Sequence, residues 1–134
     1  MPAKPNFEEW ESFLNNASLG IHIVDAEGRL IWVNETELEL LGYTRDEFLD
    51  LSINDLHADA EVLGTCMRTL GSGGRLSAYP ARLRAKDGTI RYVLINSNGY
   101  TQENEFVHTR CFSTEISPAI YEQLVAEVSE KPIA

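Results

Sequence analysis

The stretch Gly20–Thr44, GIHIVDAEGRLIWVNETELELLGYT, sets two short apolar runs around a turn and follows them at once with a compact helical pattern. GIHIV reads as a strand. DAEG is turn chemistry, because the Asp25 carboxylate bonds nearby backbone N–H groups and Gly28 is free to take positive φ, so RLIWV returns antiparallel. Asn34 stands before ETELELLG with Glu37 three residues on, a capping-box spacing with Asn in the Ser/Thr place, and Gly42 supplies the stop. A hairpin thus feeds a helix with no linker between them.

Outward from this stretch, FEEWESFLNNA spaces Phe7, Trp10, Leu14 and Ala17 at helical intervals, which predicts an amphipathic helix whose stripe needs a partner. On the other side, Thr44 with Glu47 caps RDEFLDL and Ser52 caps INDLH. A longer helix follows over about 59–70, where Val62, Leu63, Cys66, Met67 and Leu70 form one stripe, and GSGG ends it. Three strands are expected at about 76–85, 89–100 and 105–113, the first two joined by the Asp87-Gly88 turn of KDGT. SPAIYEQLVAEVSE begins a last helix at Ser117-Pro118, with Tyr121, Leu124 and Val128 in a seven-residue frame. The order predicts an α+β domain: a five-stranded antiparallel sheet with short helices on one face and amphipathic helices flanking it. Residues 1–19 form a lead and helix, 20–116 the core, and 117–134 a helix and tail.

A chain of 134 residues suits one domain with its own core. Its net charge of −10 argues against nucleic acid and anionic membrane surfaces, since phosphate contacts need clustered Lys and Arg. With no signal segment, no apolar run of membrane-spanning length and two separated cysteines, a soluble cytoplasmic protein is expected.

The ordered set Asp25, Gly28, Asn34, Gly42-Tyr43, Glu47-Phe48, Arg84 and Lys86-Asp87-Gly88 resembles the PAS family, with TEIS standing where that family often has D-I-T. HTRCFSTEIS and VLINSN resemble the PAS modules of bacterial multi-sensor histidine kinases. The resemblance implies a PAS-like fold and a sensory module of a two-component system, which binds a small ligand or partner, dimerises and signals to an effector domain or partner kinase. On this reading Asp25, Gly28, Asn34, Gly42, Asp87 and Gly88 define the fold.

Haem-binding PAS sensors ligate iron through a histidine on the longer helix, and residues 59–70 contain none; His57 reads as a partly exposed helix-end residue. Light-sensing LOV modules need a cysteine in the short-helix segment, here SINDLHADAEV, which lacks one. Haem and LOV-type flavin are therefore disfavoured, and the cofactor is left open. No metal-ligand spacing and no catalytic constellation is found, and Glu35, Glu37 and Glu39 read as a solvated helix face. The expected pocket is Leu63, Cys66, Met67, Tyr79, Asn96 and Asn98. The expected dimer or partner interface is Phe7, Trp10, Leu14, His108, Arg110, Tyr121 and Leu124, with His22 and Trp32 read as contact-surface candidates. The competing readings are a ligand-free interaction module of the same fold and a small α+β isomerase- or dehydratase-like enzyme.

Overall fold

A computed structural model of the chain describes residues 3–130. Met1 and Pro2 of the lead and residues 131–134 of the tail lie outside the described residues. In chain order the elements are α1 (Phe7–Asn15), β1 (Gly20–Asp25), β2 (Leu30–Val33), α2 (Glu35–Leu41), α3 (Arg45–Leu49), α4 (Ile53–Leu56), α5 (Ala60–Gly71), β3 (Leu76–Arg84), β4 (Ile90–Gln102), β5 (Glu105–Glu115) and α6 (Pro118–Glu130). The strands form the one five-stranded antiparallel sheet that the sequence predicts, in the order β2-β1-β5-β4-β3.

Local chemistry places the boundaries. Gly28 takes φ 84° in the first hairpin, where the Asp25 carboxylate accepts from the Glu27 and Arg29 N–H groups at 2.9 Å each. Gly42 ends α2 at φ 83°, a left-handed cap that costs glycine little. Thr44 and Glu47 close a reciprocal box at α3. At α2 the expected box is only half made: the Asn34 side chain accepts from the Glu37 N–H, but the Glu37 carboxylate turns inward to another partner.

The period-two alternation assigns the faces. Val93, Ile95 and Ser97 of β4 and Thr109, Cys111 and Ser113 of β5 point inward, where α2 to α5 cover them; Phe48 and Leu56 are fully buried between the layers. Burying a side chain of that size contributes about 1.5–3 kcal/mol. The outer face carries Ile23, Trp32, Arg110, Phe112, Asn98 and Asn96. The helix α1 lies along its β1–β2–β5 side and α6 along its β3–β4 side, so a strip between them stays open. Ala78 sits at φ 48° in a bulge of β3, and its N–H is satisfied by the Asn96 side chain at 3.0 Å.

Candidate functional site

Between sheet and helices lies a polar cluster that the sequence does not announce. His22 is the inward-facing residue of β1, 1 % exposed, and its Nδ1 donates to the Glu37 Oε2 of α2 at 2.7 Å. Glu37 is itself fully buried, so it does not share the solvated face expected of Glu35 and Glu39. It packs so tightly against Gly20 that a Cβ there would come within 2.8 Å of its Oε1. Cys111 is the register partner of His22 across β1 and β5 and is buried beside it on the inner face. Burial alone would lower His22, but the neighbouring Cys111, then the Glu37 carboxylate, outweigh it and raise the imidazole to about 10. His22 is therefore an imidazolium held inside the core, not a surface contact.

His57 completes the cluster. An isolated bridge to Leu83 and the Ala58 N–H bond to the Arg82 carbonyl pin the end of α4 over β3, which turns the His57 ring inward. It is 6 % exposed rather than a partly exposed helix end, and its Nδ1 has no hydrogen-bond partner. Burial lowers its pKa to about 4, and the positive charge of His22 adds to that effect against a smaller pull from Asp59. The ring is neutral at pH 7.

His22, His57 and Cys111 line a cavity of about 20 Å³, closed by apolar residues of α5 and of the sheet. Of the expected pocket residues, Leu63, Cys66 and Met67 line it. Tyr79 faces inward opposite Ile95 and packs on the core without reaching the cavity. Asn96 and Asn98 are a correction: they belong to the outer face because Ile95 and Ser97 take the inner one, and Asn98 instead accepts from Arg110 Nε at 2.9 Å. The expected interface residues are spread over the outer face. Phe7, Trp10, Leu14 and Arg110 border one groove, and His108 stacks on Tyr100 at 5.1 Å beneath Arg110. Tyr121 is already engaged, its ring packed at a tilt against Tyr92 of its own sheet at 5.0 Å between centroids, and Leu124 is half-buried on the same helix.

The opposed shifts of the two buried histidines give stability a pH optimum. His57 stays neutral in the fold below the pH at which the unfolded chain takes up a proton, so stability is lost as pH falls from about 6.5 towards 4, about 3 kcal/mol at the limit. His22 keeps its proton above that pH, so its contribution is complete below 6.5 and is lost as pH rises towards 10. Urea midpoints should therefore peak near pH 6–7. A His57→Leu variant should lose the decline between pH 6.5 and 5 and keep the alkaline one; an unchanged acid limb would refute the assignment.

A family model for the PAS domain matches residues 18–118. The chain belongs to the PAS family, a family of sensory and signalling modules. Solved structures give the same PAS fold. A PAS domain from a two-component sensor histidine kinase is 16 % identical with a TM-score of 0.69, over 82 % of this chain and 96 % of that one. The PAS domain of an HTR-like protein from Haloarcula marismortui is 24 % identical with a TM-score of 0.69, over 81 % and 90 %. A light-oxygen-voltage domain studied with a flavin analogue is 19 % identical with a TM-score of 0.75, over 90 % and 94 %. No curated protein matches the sequence. Among the described residues no helix is long and apolar enough to cross a membrane.

This PAS core does not fit a flavin or a haem. Such ligands occupy pockets of roughly 300–1,000 Å³, whereas Leu63, Leu70, Leu76 and Ile95 close the interior down to about 20 Å³. That is room for one water-sized molecule.

Proposed function

We propose that this PAS domain is the docking and relay segment of a signalling protein, pairing with a second copy of itself through its outer sheet face and passing the change to an effector through α1 and α6. The observation that carries this reading is an apolar groove of about 240 Å³ where α1 crosses the sheet, bordered by Phe7, Trp10, Leu14, Ile23, Trp32 and Phe112. The helix beside it has no fully buried residue, and Phe7, Trp10 and Phe13 are 74 %, 50 % and 67 % exposed. Three large apolar side chains left in water on one short helix mark a contact surface rather than a finished one. Self-pairing is favoured because groove and protruding aromatics sit side by side on one surface, which a two-fold operation brings into mutual contact.

The tight interior supports the same reading over one built around a drug-sized ligand. The two flanking helices are tied to the core by different means: α1 through the Asn34 side chain and the Trp32–Glu11 hydrogen bond at 3.3 Å, α6 through the Tyr92–Tyr121 contact. A shift of either helix is therefore felt by the sheet, and the converse.

Sedimentation equilibrium is the test. The chain should run as a dimer, and the double variant Trp10→Glu/Phe13→Glu should run as a monomer with an unchanged circular dichroism spectrum. A wild-type monomer up to concentrations of about 1 mM, where interfaces as weak as roughly 4 kcal/mol still register, would overturn the reading.

A further inference from the structure

Three groups in the core form a chain whose chemistry the docking reading leaves unused. The Glu37 carboxylate holds His22 Nδ1 at 2.7 Å, and His22 faces Cys111, its direct register partner on the inner face, across the same cavity wall. A carboxylate-held imidazolium facing a cysteine favours the thiolate, the form in which sulfur is a nucleophile. The sulfur end opens on the cavity of about 20 Å³, and His57 looks into the same space with an unpartnered Nδ1 and 6 % exposure.

We infer that Cys111 is a redox modification site, oxidised to the sulfenic acid by hydrogen peroxide that enters the cavity. The sulfur attacks one peroxide oxygen; an S–O bond forms as the O–O bond breaks. The departing hydroxide takes a proton from the His22 imidazolium and leaves as water, and His22 recovers the proton that the thiol gave up when it ionised. Sulfur loses two electrons and the peroxide gains them. The oxygen left on Cys111 lies in the cavity, where it fills the space and offers His57 Nδ1 the partner it lacks.

The molecule carries its own control. Cys66 lines the same cavity and is equally buried, 4 % against 5 % exposed. It has no imidazole beside it, and burial, followed by the proximity of Cys111, pushes it up to about 11, so it remains a thiol. A nucleophile with a positioned proton-transfer partner gains roughly 100-fold or more over one without. The difference between the two cysteines therefore isolates the His22–Glu37 contribution from burial.

The full chain at pH 7 is treated with hydrogen peroxide, the peroxide is removed with catalase, and the chain is then unfolded in urea containing dimedone, which traps sulfenic acids once the cavity no longer shields them; the adducts are mapped by peptide mass spectrometry. Cys111 should be labelled at least about tenfold faster than Cys66, and His22→Gln should remove that advantage. Cumene hydroperoxide, too large for the cavity, should label Cys111 at least about tenfold more slowly than hydrogen peroxide relative to their rates with the urea-unfolded chain. Equal labelling of the two cysteines, preference for Cys66, or no size discrimination would overturn the inference. If circular dichroism finds the His22→Gln chain unfolded, the ratio of the two cysteines in the native chain decides.

Discussion

Replacing Glu37 by Met alone should cost about 3–5 kcal/mol in urea unfolding, because it strands the His22 imidazolium, 1 % exposed, in the core without a carboxylate. His22→Leu alone should cost a similar amount for the opposite reason: Glu37 is fully buried and its Oε1 already lacks a partner. Against a total stability of about 5–15 kcal/mol for a domain, either change removes a large share. The double variant His22→Leu/Glu37→Met should recover most of the loss or exceed the wild type, since well-packed apolar groups escape the desolvation cost of two charges. The coupling in this double-mutant cycle should therefore be large, several kcal/mol. Single losses under about 1 kcal/mol would mean that the pair is neutral or reached by water.

Features built from neighbours in the chain were legible in the sequence, and features built across it were not. Asp25 with Gly28 and Thr44 with Glu47 are local and form as their spacing predicts, and Asn34 caps its helix although the reciprocal half of its box is not made. Glu37 misleads because its partner lies fifteen residues away on another element. Placed among Glu35 and Glu39 it reads as one more surface acid, yet α2 is wedged between sheet and solvent so that its third residue faces β1. His57 misleads for a related reason: an isolated bridge to Leu83 turns it inward, and that bridge follows no periodicity. The Asn96 and Asn98 assignment failed on the sheet's two-sidedness. Tyr92 and Leu94 make the outer face of β4 as apolar in sequence as Val93 and Ile95 make the inner one, because α1 and α6 half-cover that side. Alternation then gives two faces without saying which is the core. The helical part of the pocket, Leu63, Cys66 and Met67, was legible because a single amphipathic stripe has only one inside.

Asn34 carries the second large effect. Its side chain is fully buried and uses every hydrogen-bonding position it has. Oδ1 accepts from the Ile21 N–H at 2.8 Å and the Glu37 N–H at 3.0 Å, while Nδ2 donates to the carbonyls of Leu14 at 2.8 Å and Leu19 at 2.9 Å. One amide thus joins the end of α1, the start of β1 and the first turn of α2. Asn34→Ala removes the cap, worth about 1 kcal/mol, and leaves buried backbone groups unpaired at about 1–3 kcal/mol each. A loss of about 3–5 kcal/mol is expected by urea unfolding. Asn34→Asp separates the two halves of the role. The carboxylate keeps both acceptor bonds and so keeps the cap, but it sets negative charge against two carbonyls that the amide had served as donor. The sheet should survive, and hydrogen exchange should speed in α1 before it speeds in β1 or β5. The new carboxyl titrates high in that setting, so the deficit relative to wild type should narrow as pH falls towards its unfolded value near 4. Faster exchange spread evenly through the sheet, or a deficit that does not depend on pH, would show that Asn34 is only a helix cap and that α1 is held to the core by other contacts.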